Sequence, residues 1–229
     1  MIPAPRKAWL GIPIIGNWVI PFTIFLASWV GMSLPALAHP HVMVEANLEI
    51  LRDKNGAVTE LRHVWRYDEL FSSSVLLDFD ANADGQLDAT ELDEVSKIVT
   101  ESIGENGFFT DVRLAGKPVA FTGPEVILVD YVEDQVLMFF AVTFDTPVLL
   151  GKDFKVSVSD PTYYVAIDMP DETAISITGG GPACNTRISR PDFDKLLADN
   201  KAQGEQFFTD LQNAALGDDW KTWISFQCE

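Results

Sequence analysis

The stretch from His41 to Tyr67, HVMVEANLEILRDKNGAVTELRHVWRY, decides the fold class. Val42, Val44, Ala46, Leu48 and Ile50 share one side of an alternating pattern, while His41, Met43, Glu45, Asn47 and Glu49 share the other. That is the period of a half-buried strand. Asn55-Gly56 interrupts it with the residues of a two-residue hairpin turn of the primed kind, and a second strand runs on to Tyr67. Such a turn sets Ile50 opposite Leu61, Leu48 opposite His63, Ala46 opposite Trp65 and Val44 opposite Tyr67. Glu49 then meets Arg62 and Glu45 meets Arg66, so apolar and charged positions separate onto two faces. A three-residue turn would set Leu48 against Arg62 and mix them, so it is rejected.

Short strands continue downstream: Phe108 to Leu114, Val119 to Thr122, Glu125 to Val132, Gln135 to Asp145, Lys152 to Ser159, Thr162 to Asp168, Thr173 to Thr178, Cys184 to Ser189 and Trp220 to Cys228. Pro191 to about Leu216 reads as helical. Many strands punctuated by Gly and Pro predict an α+β fold with a β-rich, mostly antiparallel sheet or sandwich and a C-terminal helical segment. Gly179, Gly180 and Gly181 precede Pro182 and open no helix, so they read as a flexible loop rather than an anion cradle. Asp160, Tyr163, Tyr164 and Asp168 either line a cleft or alternate across a strand, and the strand is the stronger reading.

Between about residues 68 and 104 the period changes. Asp68 stands as N-cap before Leu70, Phe71, Val75, Leu76 and Phe79, and Leu92, Val95, Ile98 and Val99 repeat the helical spacing. Between these runs lies Asp80 to Glu91, DANADGQLDATE. As a calcium loop it places Asp80, Asn82 and Asp84 at positions 1, 3 and 5, Gly85 at 6, the Gln86 carbonyl at 7, Asp88 at 9 and Glu91 at 12. A hard cation takes six to eight oxygens, and without one the four carboxylates repel each other. The rival reading is an acidic surface turn with Asp88 capping the second helix. Affinity of about 10⁻⁴–10⁻³ M is expected, as in extracellular modules. Asp199 to Asp210 offers no second site, because Lys201 sits where a ligand belongs.

The chain of 229 residues carries 16 basic and 34 acidic side chains, a formal charge of −18. Such acidity excludes nucleic acid and anionic membrane surfaces as partners. Arg6 and Lys7, an apolar run from about Ala8 to Val30 and Ala36-Leu37-Ala38 describe a signal peptide over residues 1–38, against the alternative of an uncleaved N-terminal helix anchor. Residues 39–229 then form a single exported domain. Its two cysteines, Cys184 and Cys228, are expected to pair as one disulfide; two free thiols serving a soft metal are the alternative.

Cleavage after Ala38 would leave His39 with a free amine beside its imidazole, two nitrogen donors for Cu2+, Ni2+, Co2+ or Zn2+, with His41 as a third. A site that also used His63 needs that residue to meet His41. The hairpin opposes this, because His63 falls on the Leu61 and Trp65 side and reads as an interior histidine. No catalytic residues are named, since the chain holds no hydrolase, phosphate-loop or dinucleotide signature.

With these residues in view, the sequence resembles a bacterial family catalogued as domain of unknown function 1007. The resemblance rests on the HPHV start from His39 to Val42, the W-x-Y-D-E-L-F segment from Trp65 to Phe71, the acidic DG loop, DPTYY from Asp160 to Tyr164, and the late cysteines. It implies a periplasmic component of an uncharacterised transport system whose genes often sit beside nickel/cobalt-type permeases, so a membrane metal permease is the implied partner. Three functions follow as expectations: a calcium-binding accessory protein for transition-metal transport or handling, a copper enzyme with an N-terminal histidine brace, and a purely structural calcium-stabilised interaction module. Oligomeric state is not readable from this chain.

Overall fold

The first two strands, β1 (Val42–Arg52) and β2 (Ala57–Tyr67), pair antiparallel with Ile50 opposite Leu61, Leu48 opposite His63, Ala46 opposite Trp65 and Val44 opposite Tyr67. This is the register required by separating the faces. The structure, a computed structural model, describes residues 41–200, 218 and 220–229. The expected signal segment 1–38, His39 and the expected continuation of the helical stretch beyond Asn200 lie outside the described residues.

The turn differs from the two-residue primed form. Of its residues only Gly56 has a positive φ, 85°, whereas the primed type I turn needs one at Asn55 as well. The Asp53 N–H donates to the Ala57 carbonyl at 2.8 Å, and the Asp53 carboxylate accepts from the Asn55 and Ala57 N–H groups at 2.8 and 2.9 Å. Three residues, Lys54 to Gly56, therefore connect the strands. The register survives because the ladder shifts between Leu51, opposite Glu60, and Arg52, opposite Val58. Thr59 bulges and absorbs the extra residue.

Two helices interrupt the strands: α1 (Glu69–Phe79) and α2 (Ala89–Glu105). There follow β3 (Thr110–Leu114), β4 (Lys117–Pro118), β5 (Leu128–Val132), β6 (Gln135–Leu149), β7 (Phe154–Val158), β8 (Val165–Asp168), β9 (Ile175–Gly179), β10 (Cys184–Ser189), α3 (Phe193–Asn200) and β11 (Trp223–Cys228). The first sheet runs β5-β6-β2-β1-β8, with β9 also on β1, and the second runs β10-β11-β7-β3-β4. Most pairs are antiparallel, but β8 and β9 both lie parallel to β1, on Val42–Glu45 and Leu48–Arg52 respectively. The fold is α+β and rich in strand.

Both sheets contribute to one buried cluster. Trp65 of β2 is wholly buried, stacks on Phe109 just before β3 at 6.0 Å between ring centres, and meets Phe140 of β6 edge-on at 4.9 Å. A disulfide joins Cys184 and Cys228, opposite one another on β10 and β11, as expected. Among the described residues no helix is long and apolar enough to cross a membrane.

Two readings are corrected. The triple glycine is no flexible loop: a Cβ on Gly179 would stand 2.0 Å from the Arg52 carbonyl oxygen, and one on Gly180 would stand 2.6 Å from that of Lys54. Only glycines let this segment pack on the hairpin turn. DPTYY is a turn rather than a strand, because the buried Asp160 carboxylate accepts from the N–H groups of Thr162, Tyr164 and Val165 at 2.8–3.0 Å.

Candidate functional site

Asp68 sets the entry to the helical insertion. One carboxylate oxygen caps α1 by accepting from the Phe71 N–H at 2.9 Å, and the other accepts from the Met43 N–H at 2.8 Å, tying the cap to β1. Two helical hydroxyls fasten the insertion to the first sheet. Ser72 donates to the Asp68 carbonyl at 2.7 Å and accepts from the Val136 N–H at 2.9 Å, while Thr100 accepts from the Ile127 N–H at 2.8 Å. Neither hydroxyl stood out in the sequence. A serine or threonine within an amphipathic helix gives the same signal whether it is solvated or bonded to a neighbouring strand.

Between the helices, the acidic loop folds its side-chain oxygens inward onto its own backbone. Asp80 accepts from the N–H groups of Asp84 and Gly85 at 3.1 and 2.8 Å, Asn82 from Asp84 at 2.8 Å, and Asp84 from Gln86 at 2.9 Å. Gly85, with φ at 81°, provides the bend. Asp88 caps α2 by accepting from the Thr90 and Glu91 N–H groups, and Glu91 accepts in return from the Asp88 N–H at 2.8 Å, a reciprocal capping box. The buried Glu91 carboxylate also accepts from the Ala81 N–H at 2.8 Å, across the loop. Leu87 is buried and anchors the middle of the loop to the core.

The donor set is all oxygen, from Asp80, Asn82, Asp84, the Gln86 carbonyl, Asp88 and Glu91, and its chemistry with the glycine bend fits a calcium ion. Here the carboxylates are spent on backbone N–H groups. Among the described residues no three His, Cys, Asp or Glu side chains gather as a metal-holding group.

The two described histidines are kept apart. His41 is exposed, its N–H donates to the Tyr164 carbonyl at 3.0 Å, and its ring lies 5.1 Å from that of Tyr164. His63 is buried, stacked on Phe140 at 4.5 Å. It sits opposite Leu48, seven residues along β1 from His41, which is roughly 23 Å of strand. Thr110 donates its hydroxyl proton to the Phe108 carbonyl, so its oxygen faces His63 Nε2, 3.5 Å away, as an acceptor. His63 Nδ1 is buried without a partner, and burial holds the imidazole pKa down at about 3.

Three of the segments that carry the family resemblance, the start at Val42, the stretch through Tyr67 and Phe71, and DPTYY, meet at one place. A cleft of about 280 Å³ is lined by Val42, Tyr67 and Phe71, by Ile98, Val99 and Ile103 of α2, and by Asp160, Thr162 and Tyr164 of the turn. Burial, together with the nearby Asp160 carboxylate, raises the Tyr67 phenol above its ordinary range. A shallower groove of about 540 Å³ crosses the outer face of the first sheet past Arg62, Val64, Leu128 and Phe139.

Residues 24–228 match the family described as "Protein of unknown function (DUF1007)". This chain belongs to the DUF1007 family. It is also similar to an "Uncharacterized protein" of Haemophilus influenzae, 22% identical over 168 residues that span 72% of this chain and 80% of the relative. Neither description carries an activity. The disulfide is compatible with export.

Proposed function

We propose that this DUF1007 protein is a periplasmic calcium-binding accessory protein that serves transition-metal transport or handling. The observation that carries the calcium half is the Asp80–Glu91 loop, whose inward-turned oxygens and reciprocal cap on α2 form a frame between two helices. Asp80, Asn82, Asp84, the Gln86 carbonyl, Asp88 and Glu91 would hold the ion. Bound calcium supplies two positive charges among four carboxylates, removing the repulsion that opposes a compact loop. The metal-handling half rests on the resemblance to exported transport components and on His39 and His41 at the expected mature start. A nickel- or cobalt-type permease is the proposed partner.

Titration calorimetry of the purified exported protein tests both halves. Calcium should bind in the sub-millimolar to millimolar range, and Glu91→Gln should abolish the heat. Absence of a calcium heat in the unaltered protein would sink the first half. Failure of Ni2+, Co2+, Cu2+ and Zn2+ each to bind at micromolar concentration would remove the second and leave a calcium-stabilised interaction module.

A further inference from the structure

The helical insertion concentrates the charge of the molecule. From Glu69 to Glu105 there are ten acidic side chains and one base, Lys97. About half of the chain's net charge of −18 thus falls in 37 of its 229 residues. Along α2, Glu94, Ile98, Glu101 and Glu105 follow at spacings of four, three and four, so they form one row on the helix surface. All four are exposed, and Ile98 is 50% exposed although it is an apolar β-branched residue.

Ile98 is also on the wall of the 280 Å³ cleft, with Val99, Ser102 and Ile103 beside it and Tyr164, 49% exposed, across from it. Drug-sized ligands fill pockets of about 300–1,000 Å³, so this cleft suits an inserted side chain better than a whole metabolite. On the same insertion, α1 exposes Leu70 and Leu77 by 77% and 83%, seven residues apart on one helix face. Exposed apolar side chains on the wall of a cleft, beside a row of carboxylates, suit an interaction site.

We propose that this surface docks a basic amphipathic segment of a partner protein, which inserts an apolar side chain into the cleft beside Ile98 and lays its Lys or Arg residues along Glu94, Glu101 and Glu105. Charge complementarity selects this occupant. A second copy of the chain would bring the same acidic row and be repelled, and an apolar segment without cations would leave the carboxylates unanswered. The proposal stands on the cleft and the charge row, and does not depend on whether the loop binds calcium.

The test uses a fluorescent peptide of roughly 16 residues, about four helical turns, with Leu on one face and Lys on the other. A second peptide has the same composition in scrambled order, and a third has Glu in place of Lys. Fluorescence anisotropy is measured against the purified exported protein, both in excess calcium and in chelator. The amphipathic peptide should bind at least about tenfold tighter than the scrambled one, and the acidic peptide should not bind. Ile98→Glu, and independently Ser102→Phe at the cleft mouth, should each weaken binding about tenfold, while Leu149→Glu, an exposed apolar position on β6, should leave it unchanged. Circular dichroism and thermal melting establish that each variant is folded. Equal binding of the ordered and scrambled peptides would overturn the proposal, because charge alone would then account for the affinity. So would equal losses in Ile98→Glu and Leu149→Glu, or self-association of the protein that Ile98→Glu abolishes. Binding that needs calcium and binding that does not both support the docking site, and Glu91→Gln separates them without touching the cleft.

Discussion

The paired sheets and the helical insertion are built on different principles. In the sheets, Ala46, Leu48, Ile50, Leu61, Trp65, Val142, Phe154, Val156 and Ile224 are at most 1% exposed, and the sheets share one apolar cluster. In the insertion, α1 buries only Ser72 and Val75, and α2 buries Glu91, Val95, Ser96 and Ile103. Polar groups thus make up half of what the helices bury. The sheets derive their stability from apolar area removed from water. The insertion adds only Val75, Leu87, Val95 and Ile103 to that buried cluster and depends besides on a few hydroxyl anchors and on how the acidic loop is neutralised, so a ligand can change its stability while leaving the sheets alone.

Damage to the frame should therefore unfold everything, and this gives the largest expected effect. Trp65→Ala leaves a cavity between Phe109 and Phe140, at an expected cost of about 3–5 kcal/mol by denaturant titration. Helix and sheet signals should be lost in the same transition. If the helical signal outlasted the tertiary aromatic signal, the insertion would not depend on the frame. Next comes the disulfide. Replacing Cys184 and Cys228 together with alanine opens a crosslink across a sequence separation of 44, at an expected cost of about 2–4 kcal/mol. That loss should fall on the second sheet, seen as faster hydrogen exchange in β10 and β11.

Calcium provides the converse experiment. At a hundredfold excess over its dissociation constant, a ligand specific to the folded loop stabilises by about 2.7 kcal/mol. Hydrogen exchange should slow in α1 and α2 when calcium is added, and change little in β2 and β6. Protection that rose uniformly would erase the distinction between frame and insertion, and no change would argue against calcium at Asp80–Glu91.

The two regions also differed in how far they could be read from sequence. Alternation from Val42 to Tyr67 fixed the register residue by residue, since a one-place slip would have buried Arg62 and exposed His63. The turn is not legible in the same way, because Asn55-Gly56 suits two geometries. What decided between them was Asp53, whose carboxylate takes the Asn55 and Ala57 N–H groups, together with a bulge at Thr59. Helix entry at Asp68 was legible from its capping residue. The parallel strands β8 and β9 were not, because pairing between segments more than a hundred residues apart leaves no local pattern. The cleft was equally hidden: its lining comes from five separate segments, and only folding brings Phe71, Ile98, Met138 and Tyr164 together.

His63 gives the smallest effect and places a titrating group in the frame itself. Burial lowers its pKa from 6.5 to about 3, so below pH 6.5 the unfolded chain takes up a proton that the folded chain refuses. Stability contributed by the neutral ring is complete above the unfolded value and declines as pH falls through the window from 6.5 to about 3. Each pH unit in that window costs roughly tenfold in the folding equilibrium, which amounts to about thirtyfold between pH 8 and pH 5. Carboxylates released by unfolding titrate near 3.8, as Asp111 would once parted from Arg113 and Lys221, so the range from pH 6.5 to 5 is dominated by imidazole. His63→Leu keeps an apolar contact with Phe140 and should flatten the dependence in that range, whatever it does to absolute stability. An unchanged slope in this variant would mean that protons enter the frame elsewhere. A flattened slope in sheet exchange, with the α1 and α2 exchange unaffected, would assign the acid sensitivity of the frame to the space between Phe140 and Thr110.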